Sequence, residues 1–426
     1  MSARDTLRDF TTRAMIRALT TFERFESGVS FDPLDHSSVA DPYPGYAALR
    51  ANGRTHWSRL TGGPVLVHYA DVVSALRDDR LSTNPSHMRR WERQRKRLAA
   101  TGRTEAEIER RSILASDPPD HTRLRKLVSK AFTPRSVTAL AQRMEGLIDE
   151  LLLPVKGAAT FDLCQVLAWP LPVIVISELL GVPPEDRERF KRWSDDVIQT
   201  IGVVSREGAR RALRASRELG EYLTEVAALR RADPRDDLLS GLLAAEEDGD
   251  RLTMDEVLTM CIFLLVAGNE TTAKLIGTGM LALLRQPDQL EALRTDPGLD
   301  ATAPDELLRF DGPVQMTTRT ATEDMELAGV GVAKGRTVIL CLASANRDPA
   351  RFPEPDRLDL SRADNPHVAL GHGRHFCLGA SLARLETRMA LRGLLDRFST
   401  LELAGDPVWG DNAVLRGIDH LPVRIT

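Results

Sequence analysis

The stretch that decides the fold is LGHGRHFCLG, residues 370–379, which has three glycines, two histidines, an arginine and a cysteine in ten positions. It runs into a strongly helical segment, CLGASLARLETRMALRGLL, residues 377–395. Glycines let backbone N–H groups come close to a sulfur atom or a flat ligand, and such donors, together with positive charge, stabilise a thiolate. The positive end of the following helix adds to that potential. The segment therefore predicts a functional role for Cys377.

Two plainer interpretations of this cysteine are open. A cysteine in a glycine-rich turn is often a buried, inert side chain. His372, His375 and Cys377 could also bind zinc, but no fourth ligand is evident and the spacing matches no common zinc module.

The remaining cysteines indicate a reducing compartment. Cys164, Cys261 and Cys341 are far apart, and the sequence has no CxxC pair. Neither a disulfide framework nor a zinc knuckle is indicated. We therefore expect a cytoplasmic protein.

Composition narrows the classes of partner. The 426 residues, 42% of them hydrophobic, predict a large buried core. With 57 basic and 61 acidic residues, the formal net charge is −4, which is too mild to indicate nucleic acid as the main partner. The apolar run CIFLLVAG, residues 261–268, is much shorter than the ~20 residues that cross a bilayer. We expect no transmembrane segment.

Residues 1–30 are interpreted as a helical extension. Their apolar residues have near-helical spacing, without the apolar core of a signal peptide. The basic residues Arg8, Arg13, Arg17 and Arg24 lie on one face, so the helix either packs on the body or touches an anionic membrane surface.

Helical periodicity dominates the rest of the chain, and short β-like pieces appear at 325–348. The longest predicted helix starts at a capping box formed by Thr253 and Glu256 and runs for about 30 residues. No internal repeat or linker divides the sequence. The prediction is a mainly α protein with small β-sheets, in which residues 31–426 form a single large domain.

The cysteine loop resembles the haem-binding loop of the cytochromes P450, whose pattern is Phe-Gly-x-Gly-x-(His or Arg)-x-Cys-x-Gly. The resemblance covers roughly residues 40–426. It implies the P450 fold, a haem b ligated by the Cys377 thiolate, and Gly371 and Gly379 beside that haem. Leu370 stands where the family usually has Phe, so we expect a shifted iron potential with ligation retained.

Three charged residues are assigned by the resemblance to a buried network. Glu306 and Arg309 are one helical turn apart in DELLRF. The same Glu-x-x-Arg spacing recurs elsewhere by chance, but only this pair precedes a β region, then PDRLDLSR and then the cysteine loop. Arg357 would be the third member. The plainer interpretation is an exposed bridge contributing less than about 1 kcal/mol.

Four cationic residues are expected to neutralise the two haem propionates. Buried charge requires such partners. His121 and Arg125 lie four apart on one helix face, Arg319 lies in TTRTA, and His375 lies in the loop itself. Each alone would be interpreted as a surface base, and only their combination indicates a haem site.

The long helix is expected to supply the oxygen chemistry. In LLVAGNETTAKL, the small residues Ala267 and Gly268 precede Glu270 and Thr271, matching the family's (Ala or Gly)-Gly-x-(Asp or Glu)-Thr motif. The resemblance implies room for O2 beside the haem and a local departure from regular helical hydrogen bonding. Thr271 would hydrogen-bond the oxygen, and Glu270 would connect it to solvent for proton delivery.

The resemblance implies a monomeric, bacterial-type monooxygenase that needs external electrons. The chain has no dinucleotide fingerprint and no room for a flavin domain, so ferredoxin with its NAD(P)H-dependent reductase is expected. The expected docking face consists of Lys126, Lys130, Arg374 and Arg384.

The substrate is expected to be a lipophilic small molecule, such as a steroid, terpenoid, fatty acid or macrolide-like product. By position in the family, the pocket would be lined by Phe263, Val266, Ala267, Val314, Gln315, Met316, Val414 and Leu415. The charged segment 86–114 is either an entry gate or a solvated loop from which Trp91, Ile113 or Leu114 faces inward.

Two other functions are open. One is a haem peroxygenase, isomerase or dehydratase, which the intact Glu270 and Thr271 argue against. The other is a haem-free P450-like auxiliary subunit that activates a partner, which the intact Cys377 argues against.

Overall fold

Helices account for 57% of the chain, in agreement with the predicted mainly α class. A computed structural model describes residues 3–32, 39–100, 102–103, 112–131, 134–198, 206–247 and 249–425. The helices are α1 (Ala3–Ser27), α2 (Tyr43–Asn52), α3 (Tyr69–Arg77), α4 (Trp91–Ala99), α5 (Asp120–Ala131), α6 (Pro134–Leu152), α7 (Pro170–Leu179), α8 (Arg187–Ile198), α9 (Arg206–Ala232), α10 (Leu238–Ala244), α11 (Met254–Leu284), α12 (Pro287–Thr295), α13 (Ala303–Asp311), α14 (Leu342–Ala345) and α15 (Ala380–Arg397).

The strands are short and form small sheets. They are β1 (Thr55–Ser58), β2 (Gly63–Leu66), β3 (Leu81–Ser82), β4 (Thr160–Asp162), β5 (Glu246–Glu247), β6 (Asp250–Arg251), β7 (Thr317–Ala321), β8 (Met325–Leu327), β9 (Val330–Val332), β10 (Thr337–Leu340), β11 (Leu401–Leu403), β12 (Val408–Trp409), β13 (Ile418–His420) and β14 (Pro422–Ile425). The largest sheet has the order β1-β2-β10-β7-β3, and a second has the order β11-β14-β4. The pairs β12-β13, β5-β6 and β8-β9 are two-stranded.

The helix α11 forms the centre of the molecule. It begins at the predicted capping box, in which Thr253 and Glu256 each bond the other's main chain, and it spans 31 residues. Its neighbours include α7, α13 and α15. This helix is long and apolar enough to cross a membrane, but 67% of its most apolar 18-residue stretch is buried inside the protein, as in a core helix. This helix therefore carries the central site residues through the hydrophobic core.

The main core surrounds α11, and two smaller cores lie on the five-stranded sheet. The approach of α11 to α13 depends on Gly279, where a Cβ atom would lie 3.0 Å from Leu307 Cδ1. Close packing of this kind holds helices in one fixed arrangement. The side chains that α11 and α13 carry are thereby fixed relative to each other.

The end of α1 is tied to the first strand by a buried carboxylate. Glu23 accepts the backbone N–H of Phe31 at 2.6 Å and that of Arg59 at 2.8 Å, and it lies 2.5 Å from His56 Nε2. A buried carboxylate is retained when its hydrogen bonds are satisfied. This contact supports the interpretation of α1 as a helix packed on the body, while the domain boundary at residue 30 remains a prediction.

Candidate active site

Two glycines with positive φ shape the loop that holds Cys377. Gly371 has φ +73° and Gly373 has φ +69°, a conformation that favours glycine. A Cβ on Gly373 would lie 2.8 Å from the Leu76 carbonyl oxygen, so this loop presses directly on α3. The Cys377 N–H donates to the Leu370 carbonyl at 2.9 Å. The sulfur is therefore held by a rigid turn just before α15.

Cys377 is half-buried, whereas the other three cysteines are fully buried. Burial raises the pKa of its thiol, and the Gly379 N–H together with the Arg125 and Arg384 charges opposes that rise. A metal ion replaces the proton on a coordinating thiol. Cys377 therefore has the donors and cations that a thiolate ligand needs.

The four predicted propionate-binding residues meet beside this loop. The rings of His121 and His375 have centroids 4.2 Å apart, and Arg125 Nη2 donates to the Phe376 carbonyl at 2.8 Å. Arg319 is only 6% exposed, and its charge acts on His375. The structure thus brings residues from α5, β7 and the cysteine loop into one cluster.

The positive charge of this cluster comes from Arg125 and Arg319, because burial lowers the pKa of both histidines and favours their neutral forms. Burial lowers the pKa of Arg319 to about 10, and burial together with the His121, Arg319, Arg374 and Arg125 charges lowers that of His375 to about 3. The buried His121 Nε2 has no hydrogen-bond partner. Cations left without anionic partners are costly in a protein interior. A group bearing two carboxylates would satisfy them.

A haem fits the residues around Cys377 better than zinc does. A Cβ on Gly379 would meet no protein atom within 4 Å, which leaves space beside the sulfur. In the part of the chain that the structure describes, no group of three or more His, Cys, Asp and Glu residues could hold a metal ion. Haem iron needs only one such protein ligand. Cys377 would supply it, and the cation cluster would hold the propionates.

One stripe of the otherwise buried α11 is partly accessible. It includes Phe263, Ala267 and Thr271, which are four residues apart and share a face. The Thr271 hydroxyl donates to the Ala267 carbonyl at 2.7 Å. The predicted local departure from helical hydrogen bonding is wrong for this structure, since α11 is an unbroken α-helix. Ala267 and Gly268 are the smallest residues in the partly accessible part of this helix.

Glu270 points away from solvent, contrary to the expectation that it connects the site to water. It is 6% exposed, and its Oε1 lies 2.8 Å from Lys274 Nζ. Its other oxygen, Oε2, is buried without a partner. Burial raises the pKa of Glu270, and the Lys274 charge opposes that rise. A route to solvent from Glu270 therefore has to pass through bound water or a movement of the protein.

Sequence reasoning missed a second buried acid, Glu386 on α15. Burial raises its pKa to about 8, and a hydrogen bond from Thr272 on α11 offsets only part of that rise. Its Oε2 has no partner. The only signal in the sequence is a carboxylate on the face of α15 that apolar residues otherwise occupy.

Compared with the wild type, Glu386→Gln is expected to gain stability as the pH rises, because only the wild type has a buried carboxyl group at this position. Below pH 4.5 the carboxyl is protonated in both states; between 4.5 and about 8 only the unfolded state ionises, so the wild type loses stability. The loss has an upper bound of about 5 kcal/mol. Thermal midpoints of both proteins measured from pH 5 to 8 check this. A midpoint difference that stays constant across this range would show that Glu386 ionises as an exposed carboxyl does.

The buried network forms around Glu306, which is 0% exposed, and Arg309, which is 1% exposed. Arg309 makes two bonds of 2.8 Å to the Glu306 carboxylate. The same carboxylate accepts the Asp359 N–H at 2.9 Å and the Asn365 amide at 3.2 Å. The pair therefore fixes the loop that leads to Cys377.

The predicted role of the Arg357 side chain is wrong. Its guanidinium pairs with Glu354 at 3.2 Å and is 59% exposed, and only its carbonyl oxygen accepts from Arg309. Arg362 is the third charged member, with Nε 3.2 Å from Glu306 Oε2. The backbone is irregular just before Arg357, since Glu354 has φ +46°.

The predicted pocket residues lie in different parts of the fold. Val314 and Leu415 are brought together in a β-bridge, and Phe263, Val266 and Ala267 lie on the accessible side of α11. Val414 is half-buried, while Met316 packs in the core beside the largest sheet.

Gln315 is a correction to the predicted pocket. Its amide Nε2 donates to the Gly312 carbonyl at 2.8 Å, and its Oε1 accepts from the Tyr46 hydroxyl at 3.2 Å. It is 0% exposed. Because this side chain is fully buried and both its amide nitrogen and its amide oxygen have protein partners, we remove Gln315 from the pocket.

Two of the four cations expected in the docking face have acidic partners. Arg374 pairs with Asp79, and Arg384 Nε donates to Asp305 at 2.8 Å. The side chain of Lys130 lies outside the described residues. The face is therefore less basic than its residues alone suggested.

The charged segment 86–114 is described only in part. Trp91 begins α4, Ile113 is buried in the main core, and Leu114 is 56% exposed. Residues 101 and 104–111 lie outside the described residues. Ile113 thus faces inward, and Leu114 faces solvent.

Comparisons with known proteins agree with the geometry. The family model for cytochrome P450 matches residues 86–296 and 300–411. The cytochrome P450 monooxygenase PikC of Streptomyces venezuelae is 44% identical over 404 residues, 92% of each chain. The vitamin D(3) 25-hydroxylase of Pseudonocardia autotrophica is 43% identical over 392 residues, 90% of this chain and 94% of that protein.

Solved structures show the same fold. The cytochrome P450 PksS of the Bacillus subtilis 168 bacillaene polyketide synthase superposes with a TM-score of 0.84 at 36% identity, covering 93% of this chain and 100% of that one. Because similarity spans nearly all of both chains, it includes the cysteine loop, α11 and the buried network. The chain therefore belongs to the cytochrome P450 family.

Proposed function

We propose that this P450 monooxygenase transfers one oxygen atom of O2 to a lipophilic small molecule, by hydroxylation or epoxidation, with electrons from ferredoxin in the cytoplasm. The cluster of His121, Arg125, Arg319 and His375 next to half-buried Cys377 carries the proposal, because it matches the charge and ligand needs of a haem. When bound, the haem b would supply the activation of O2.

Two side chains of α11 are proposed to handle protons. Thr271 donates to the Ala267 carbonyl, which leaves the lone pairs of Oγ1 free to accept from water or from a substrate hydroxyl. Glu270 Oε2 is buried and unpartnered, so it is an available proton site one residue away. Water held by the Thr271 hydroxyl would receive the proton from Glu270.

The partly accessible stripe of α11 supports an apolar substrate. Phe263, Val266 and Ala267 offer no polar group, and the amide of Gln315 is satisfied elsewhere. Relatives of this chain are named for polyketide biosynthesis and for vitamin D(3) hydroxylation. We infer a polyketide-like or sterol-like substrate, held chiefly by apolar contact.

The proposal of external electron delivery is consistent with these 426 residues, which contain no dinucleotide fingerprint. We propose that NAD(P)H reduces a ferredoxin through its reductase, and that the ferredoxin docks near Lys126 and Arg374. If reduction rates do not depend on ionic strength, this electrostatic docking is excluded.

Spectral titration tests the substrate class. Adding macrolactones or sterols to the purified haem protein is expected to convert low-spin iron to high-spin iron, since an apolar ligand displaces water from the site. Turnover of the compounds that give the shift, with a ferredoxin system, is then analysed for a product heavier by one oxygen atom. A shift with fatty acids alone would overturn the polyketide-like or sterol-like assignment.

Thr271→Ala is expected to uncouple the enzyme. Haem and substrate binding should persist, but more of the consumed NAD(P)H should leave as hydrogen peroxide, and product per NAD(P)H should fall by about ten-fold or more. The measurement compares NAD(P)H consumed, peroxide released and product formed. Thr224→Ala is the control, because Thr224 makes the same bond to a carbonyl four residues earlier, on the exposed side of α9. Wild-type coupling in Thr271→Ala would make this threonine structural.

A further inference from the structure

A buried lysine lies one helical turn after Glu270. The Lys274 side chain is 4% exposed, and its Nζ is 2.8 Å from Glu270 Oε1. The same Nζ donates to the Leu415 carbonyl at 2.6 Å. Removing an ammonium from water costs several kcal/mol, so a lysine in this position needs good acceptors. Lys274 has one on each side.

The C-terminal loop is shaped around this lysine. A Cβ on Gly417 would lie 2.2 Å from Lys274 Cγ and 2.6 Å from its Cδ, so only glycine leaves room for the lysine stem. These carbons lie near the base of the side chain, where rotation relieves little. Loop 410–417 and Lys274 are therefore fitted to each other.

The same loop borders the predicted pocket. Leu415, whose carbonyl binds Lys274, pairs with Val314 in a β-bridge. Lys274 thus joins Glu270, the buried acid of α11, to the backbone of Leu415, which is one of the predicted pocket residues. The position of loop 410–417 and that of the Glu270 carboxylate are therefore coupled through the ammonium group of Lys274.

We propose that Lys274 is a positioning residue, which fixes Oε1 of Glu270, favours the ionised carboxylate between turnovers and leaves Oε2 free to take up a proton and pass it on. This inference rests on the proposed role of Glu270 in proton transfer. Loop 410–417 keeps the ammonium in place through the Leu415 carbonyl.

The charges around Glu270 and Lys274 determine in which direction the pKa of Glu270 moves when the lysine is removed. Asp419 on β13 interacts with both Lys274 and Glu270, and Asp419 in turn interacts with His420 and Asp411. Burial raises the Glu270 pKa and Lys274 lowers it, so removing the lysine raises that pKa further. The pH at which Glu270 ionises is then expected to increase.

The primary test compares Lys274→Met with the wild type. Infrared difference spectra of the resting haem protein follow the carbonyl band of protonated Glu270 with pH, and Glu270→Gln identifies the band. The pH at which the band disappears is expected to rise by about one to three units in Lys274→Met. Lys274→Arg, which keeps the charge, is expected to shift it less.

Lys191→Met is the matched control, because Lys191 pairs with Asp195 at the same spacing on an exposed surface. If Lys274→Met fails to bind haem, Lys274→Gln removes the charge and still donates to the Leu415 carbonyl. An unshifted band in both variants overturns the proposal, whatever the activity.

A second measurement separates this proposal from the proton relay itself. The pH dependence of product formed per NAD(P)H is expected to move with the band in Lys274→Met. A band that moves while this dependence stays unchanged supports the positioning role and overturns the assignment of Glu270 as proton donor.

Discussion

Cys377→Ala is expected to fold as a mainly helical protein that gives no thiolate-type Soret band and no ferredoxin-supported turnover. The main core does not include Cys377, so far-ultraviolet circular dichroism should change little. The other cysteines are buried elsewhere, and burial raises the pKa of the Cys261 and Cys341 thiols to about 12. None of them offers a replacement ligand.

The carbon monoxide difference spectrum of the reduced protein measures this. Cys261→Ala, on the same helix as Glu270, is the control and should keep the wild-type spectrum. A thiolate-type spectrum from Cys377→Ala would contradict the assigned ligand. A wild-type protein that purifies without haem would favour the auxiliary-subunit interpretation instead.

Arg309→Ala is expected to yield little haem protein. It leaves the buried Glu306 carboxylate without its two 2.8 Å bonds, and breaking a buried ion pair costs about 3–5 kcal/mol. Arg309 also donates to the carbonyls of Asn346, Pro355 and Arg357, which would lose this donor. Haem content per mole of protein and the thermal midpoint measure the effect.

Arg357→Ala is the matched control, because its exposed side chain pairs only with Glu354 in the same loop. A change within about 0.5 kcal/mol is expected there. Arg362→Ala removes one of the two arginines that pair with Glu306, so its loss of stability should lie between those of Arg357→Ala and Arg309→Ala. Equal effects from Arg309→Ala and Arg357→Ala would contradict the network described here.

Local patterns in the sequence predicted the main features well. The capping box at Thr253 and Glu256 located the start of α11, because both of its bonds form within four residues. The glycines of the cysteine loop predicted its turn for the same reason, since positive φ at Gly371 and Gly373 is a local requirement. The family resemblance then brought distant residues such as His121 and His375 into one site.

Features that depend on distant chain segments were not predictable in this way. Arg357 and Arg362 differ only in the direction that an irregular loop gives their side chains. Glu270 looked exposed by its charge, but Lys274 and the Leu415 carbonyl hold it in the interior. The acidity of Glu386 depends on the contact between α15 and α11, which no spacing within either helix reveals.

The fit between Gly417 and Lys274 restricts the order in which this chain could have acquired the two residues. A larger residue at 417 would collide with the lysine stem, so a lineage that gained the lysine first would pass through a poorly folding intermediate. A lineage that gained the glycine first would pay only the backbone flexibility of one loop position. Sterics therefore favour the order in which the glycine comes first, and with the lysine present any larger residue at 417 would have to displace the lysine stem.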